Sequence, residues 1–250
     1  MLNVLYAEWL KLKRSNIIWL TIIGAVLPVL ITTFGEFKSM NWINLLNNNL
    51  LFLNVMIGPM LLAMLAGYVV VREYSDNTVN QLFVYPHRRV TILIGKMIVI
   101  LGLTVTIFVL NYVLIWLSGS LIGDQPITGE LFWKYTDAYL WMFALQALLI
   151  PITMTAGIVG KSFIPPVVLG IIAILVNMMA IQGVEDHIPE RVTFVSYLPF
   201  GSMIIHLLDS IKSNVNMEVL HAVYPNGITF ILFFIFNALY YTKSEVHSGS

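Results

Sequence analysis

Of 250 residues, 58% are hydrophobic and only 10% are charged, against roughly 25% charged in an ordinary soluble domain; no water-soluble fold could hide that much apolar surface. The 13 basic residues balance the 13 acidic ones, so a general attraction to nucleic acid is not indicated. Cysteine is absent, which excludes disulfides, thiolate metal sites and cysteine nucleophiles together.

The chain opens with Leu2, Leu5, Trp9 and Leu12 at helical spacing, while Asn3, Lys11 and Arg14 fall on the other side. This pattern predicts an interfacial helix over 1–14 with Trp9 at headgroup depth, the alternative being a cytosolic extension of the first span. Apolar runs of about 20 residues, long enough to cross a bilayer as helices, follow near 17–35, 48–71, 92–121, 138–160, 164–182 and 222–241. None carries Asp, Glu, Lys or Arg in its interior, Lys96 standing at the start of its span. Each can therefore enter the membrane without the cost of about 2.5–3.5 kcal/mol for a central charge. No linker or charge block divides the chain, so a single membrane domain over 1–250 is expected.

With the amino terminus in the cytosol, the inner side holds nine basic residues: Lys11, Lys13, Arg14, Arg72, Arg88, Arg89, Lys96, Lys161 and Lys243. The outer side holds four, Lys38, Lys134, Arg191 and Lys212. That bias is the positive-inside pattern, and an even number of spans leaves both termini in the cytosol.

Between the second and third spans lies a polar segment from Arg72 to Arg89. Ser75 or Asp76 can cap a helix, Val79, Leu82 and Phe83 form an i, i+3, i+4 stripe, and Pro86 disfavours helical geometry at Tyr85. About two turns of helix fit between those signals. The stripe can dock into a groove on a cytosolic partner or pack against the chain's own bundle.

Glu73, Thr78, Pro86-x-Arg88-Arg89 and Lys96, with the opening Glu8-Trp9-Leu10-Lys11-Leu12-Lys13-Arg14, resemble the first cytosolic loop and the start of ABC-2 type transporter permeases. The branch that moves lantibiotics and other amphipathic antimicrobial peptides is the most similar. Many members carry Gly where this chain has Asn77, a residue that also tolerates left-handed geometry. The resemblance implies an all-α integral membrane protein with six transmembrane helices, an N-terminal interfacial helix, a cytosolic coupling helix and an external re-entrant hairpin near 199–211. Glu73, Asp76, Thr78, Val79, Leu82, Phe83, Pro86, Arg88 and Arg89 would couple it to a separate ABC ATPase that binds ATP and magnesium. It further implies a second permease copy or paralogue, and a multi-pass place in a bacterial plasma membrane among lipids. The cargo would be an amphipathic peptide or lipid-like molecule moved outward.

Other motifs carry less. Gly160-Lys161-Ser162 ends like a phosphate loop, but Thr155 stands where the first glycine is required; a basic stop at a span end is the simpler reading. The stretch 183–221 opens polar and then runs apolar, broken at Pro199-Phe200-Gly201; a short external helical hairpin or a surface loop with an amphipathic helix both fit. His206 and Asp209, a turn apart, could form a metal or acid/base pair or simply make headgroup contacts. Asn111, Asn177 and Asn237 fit interhelical hydrogen bonding or a substrate path. Ala63-x-x-x-Gly67 and Gly119-x-x-x-Gly123 permit close helix approach. Pro151 and Pro165-Pro166 stand near span ends, with no mid-membrane charge to suggest an ion-driven secondary transporter. A non-transporting scaffold or membrane enzyme lacks a convergent catalytic set.

Overall fold

The structure, a computed structural model, describes residues 2–13, 15–37, 41–75, 89–122, 126–185, 189–212 and 219–243. Among the described residues it is helical, without strands, and six of its helical stretches are long and apolar enough to cross a membrane. Helices suit a lipid solvent because each satisfies its own backbone hydrogen bonds.

α1 (Leu2–Lys13) packs on the third spanning helix and is followed by α2 (Ile17–Glu36), the first span. α3 (Trp42–Phe52) begins where the Asn41 side chain accepts from the Ile43 N–H at 2.9 Å. It passes through a π turn, Leu53–Ile57, into α4 (Gly58–Ser75), making one span of 34 residues. α5 (Arg89–Ile122) is the third span, and α6 (Gly129–Leu148) with α7 (Ile150–Gly160) the fourth. α8 (Ile164–Glu185) is the fifth, with Pro165 and Pro166 in its first turn, where a missing N–H costs nothing. The pair α9 (Pro189–Ser196) and α10 (Pro199–Lys212) precedes the last span, α11 (Val219–Lys243). Two helical elements thus occupy the stretch where the sequence suggests a hairpin. Most of α10 is buried, packed on α8, α11 and α6.

α4 lies at the centre, against α5, α7 and α8. Exposed Trp19, Ile23, Val109, Leu175, Ile228 and Leu232 on the other helices give the bundle an apolar exterior.

Three asparagines bridge helices close to three prolines. Pro59 has no N–H to give the carbonyl four residues back, that of Val55, and the π turn loosens the same region. Asn177 of α8 supplies the donor: its amide reaches the Val55 carbonyl at 3.1 Å and that of Asn54 at 3.4 Å. Asn237 of α11 donates to the Pro151 carbonyl at 2.9 Å and accepts from Thr155 at 2.8 Å. Asn111 of α5 reaches the Ala25 carbonyl at 3.0 Å, one turn before Pro28, and its side-chain oxygen accepts from Asn49 and Tyr139. All three asparagines are fully buried and bridge helices.

The fourth span runs from Gly129 to Gly160, ending where the sequence reading ends it but starting earlier, and it breaks at Leu149, so that Pro151 stands at a helix break inside the span. α6 begins well before the apolar run, at Gly129-Glu130. Its start is set by the Thr128 side chain, which accepts from the Leu131 N–H at 3.4 Å. The close helix approach that Gly119 permits is made inside the chain, because a Cβ there would overlap the indole of Trp42. Gly67 likewise faces Pro166. Gly123 lies outside the described residues.

Candidate functional site: a buried charge cluster at the root of segment 76–88

Three helices meet where α4 ends. On α1, Glu8 and Lys11 are three residues apart, hence on one side of the helix, and their side chains pair at 2.6 Å. On the last turn of α4, Glu73 accepts from Lys11 at 2.9 Å. From the second turn of α5, Lys96 reaches Glu73 at 2.6 Å and Glu8 at 3.4 Å, and donates to the Val69 carbonyl at 3.2 Å. Lys96 is 0% exposed, Glu8 5% and Glu73 6%. Two carboxylates and two ammonium groups balance one another, which is what makes their burial tolerable: an unpaired charge in such surroundings costs several kcal/mol. Burial pulls the half-buried Lys11 ammonium down, but Glu73 and Glu8 together more than offset it and hold its pKa above the ordinary lysine range.

The next ring of contacts fixes the backbone. Arg72 donates to the Lys11 carbonyl at 3.0 Å, among the last carbonyls of α1 that have no partner within their own helix. It also donates to the Tyr68 hydroxyl at 3.3 Å and lies 5.7 Å from the centre of that ring. Across the bundle, Arg89 does the same for α11, donating to the carbonyls of Tyr241 at 3.1 Å and Thr242 at 3.3 Å. Each arginine meets the negative end of a helix dipole. The helix ends on either side of segment 76–88 are therefore anchored, that of α4 to α1 and that of α5 to α11.

Of the residues that the sequence singled out for coupling, the structure places Glu73 in the charge cluster and Arg89 on the end of α11. Asp76, Thr78, Val79, Leu82, Phe83, Pro86 and Arg88 lie outside the described residues. The sequence reading did not bring Glu8, Lys11 and Lys96 together, nor did it place Glu8 on a buried face. Trp9 is 55% exposed, whereas Val4, Glu8 and Leu12 form the buried face. Glu8 and Lys11 at a spacing of three, with Lys96 only four residues into a predicted span, were the available signal.

The remaining motifs resolve into structure. Gly160-Lys161-Ser162 joins α7 to α8, with Lys161 in a left-handed conformation (φ 47°) and its N–H on the Gly157 carbonyl at 3.0 Å; this is a helix C-cap, and no strand precedes it. His206 packs edge-on to Trp141. Burial pulls its pKa below the usual histidine value, against the opposing pull of Asp209 and Asp137, which favours the neutral ring. No group of three metal-ligating side chains occurs among the described residues.

A family model described as ABC-2 family transporter protein matches residues 4–177, from α1 through most of α8, and contains the entire charge cluster. The chain belongs to the ABC-2 transporter family. An ABC-2 permease is the membrane subunit of an ABC transporter, without an ATPase motif of its own, and works with an ATPase partner. Within this permease, the charge cluster lies at the root of the segment between the second and third spans. No match was found among curated proteins.

Proposed function

We propose that this permease exports amphipathic or hydrophobic cargo from a bacterial cell, driven by a separate ATPase that binds ATP and magnesium and docks on segment 76–88. The observation that carries this reading is the double anchoring of that segment: Glu73 is locked to α1 and α5, and Arg89 to α11. A push on the segment is thereby delivered to three helices rather than dissipated in a loop. The stripe Val79, Leu82 and Phe83 supplies the apolar face for docking, and burial of such side chains is favourable by roughly 1.5–3 kcal/mol each. Spans free of central charge suit a cargo handled by apolar and aromatic surfaces better than a hydrophilic ion. Two permeases, identical or paralogous, complete the transporter, and by resemblance an antimicrobial or surfactant peptide is the cargo.

Replacing Phe83 by Asp puts a carboxylate into the docking contact. The expected result is loss of ATPase copurification and of cargo-stimulated hydrolysis with the membrane domain still folded, while Asn80→Asp, on the other face, retains both. Retention of both readouts in Phe83→Asp refutes the docking assignment; unfolding of the domain favours packing of the stripe on the bundle.

The proposed orientation, with both termini and segment 76–88 inside, rests on the distribution of basic residues. The chain has no cysteine, so single cysteines at Ser75 and Glu185 can be probed without background. An impermeant maleimide applied to intact cells should label Glu185→Cys and spare Ser75→Cys. Labelling of both from outside would reverse the argument for the docking segment.

A further inference from the structure

A cavity of about 400 Å³ opens between α2, the outer part of α3 with its π turn, and α8. Its size lies within the range of about 300–1,000 Å³ typical of small-molecule sites. Ile31, Leu51, Phe52, Val55, Met56 and Met178 make its walls apolar. Two of these are methionines, whose flexible thioethers adapt to varied shapes. One end is polar: Glu36 at the last residue of α2 accepts from the Asn48 amide at 2.9 Å. Among the described residues no cation forms an ion pair with Glu36. Gly35 opens the wall beside it, since a Cβ there would meet nothing within 4 Å. Behind Val55 the wall is held by the Asn177 hydrogen bonds to the π turn, and such turns recur at functional sites.

We propose that this cavity binds a hydrophobic cation, a single positive charge on a compact apolar body, with the charge on Glu36 and the body between α2, the π turn and α8. A carboxylate steadied by one amide at the exposed rim of an open apolar groove selects charge sign. A neutral acyl chain would gain nothing from Glu36, and an anion would be repelled by it. In naming a cargo class the inference rests on the export reading; binding itself does not.

The test uses the full chain in phosphatidylcholine nanodiscs, with equilibrium binding of tetraphenylphosphonium compared with its near-isosteric anion tetraphenylborate, each corrected for empty nanodiscs. Saturable binding of the phosphonium alone is expected. Glu36→Gln should weaken it about tenfold or more, a loss corresponding to one charge-assisted contact. Gly35→Trp should abolish it by filling the chamber, at an unchanged thermal midpoint. Ile172→Trp, on an exposed face of α8, should leave it intact. Equal binding of both ions, or phosphonium binding indifferent to both Glu36→Gln and Gly35→Trp, overturns the proposal and leaves the chamber to lipid chains. Phe83→Asp should not alter binding, so a failure of ATPase docking and a failure of this site are read separately.

Discussion

Lys96→Met should destabilise the permease by about 3–5 kcal/mol, the usual cost of removing one partner from a buried ion pair. The substitution nearly preserves side-chain length and removes only the ammonium that neutralises Glu73 and Glu8 from inside the bundle. Lys11, which is partly exposed, remains as the sole lysine facing two buried carboxylates. Denaturation of the chain in mixed micelles, followed by tryptophan fluorescence, gives the measurement. Adding Glu73→Gln to Lys96→Met should recover a substantial part of the loss, because a neutral amide no longer demands a counter-charge. If the double variant is as unstable as the sum of its two single variants, the pair is not coupled and the cluster does not hold α1, α4 and α5 together.

Gly119→Val comes next in size. Its side chain would enter the space of the Trp42 indole, which is itself buried and lies 5.5 Å from the Trp116 ring. Overpacking of this kind costs about 1–3 kcal/mol, and the β-branched residue cannot turn its methyls away from the neighbouring helix. Gly227→Ala in α11 is the matched control, since a Cβ there meets nothing within 4 Å. It should leave the midpoint unchanged or raise it, because alanine loses less backbone freedom than glycine. Equal losses from the two changes would mean that the α3–α5 contact is looser than its geometry states.

The spans are legible because lipid imposes a simple condition: about 20 apolar residues with the backbone satisfied internally. The site is harder to read because its members are far apart in the chain; Glu8 and Lys96 are separated by 88 positions. Each alone looks like an ordinary interfacial charge. α1 shows what an apolar stripe does not reveal. In water, apolar periodicity marks the interior, but next to a membrane the outside is apolar too, and the tightest interior contacts fall to small and polar residues. Hence exposed Trp9 and buried Glu8. The asparagines illustrate the same point from the other side. Asn111, Asn177 and Asn237 stand out against apolar sequence and are indeed helix bridges; Asn49 and Asn54, inside the predicted second span, are equally buried and were not singled out, Asn49 because it closes the polar run Asn47-Asn48-Asn49.

The π turn at Leu53–Ile57 has a consequence for every residue beyond it. One residue of helix corresponds to about 100° of rotation and 1.5 Å of rise, so the wider turn puts Gly58–Ser75 out of phase with Trp42–Phe52. The span is in effect two half-helices, each with its own angular frame. The first frame aims Asn49 at Asn111 and Tyr139, and the second aims Glu73 at Lys96 and Lys11. Gain or loss of a single residue between them would re-aim one set of contacts while leaving the other in place, so the length of this turn acts as an angular offset between the asparagine bridge at one end of the span and the charge cluster at the other.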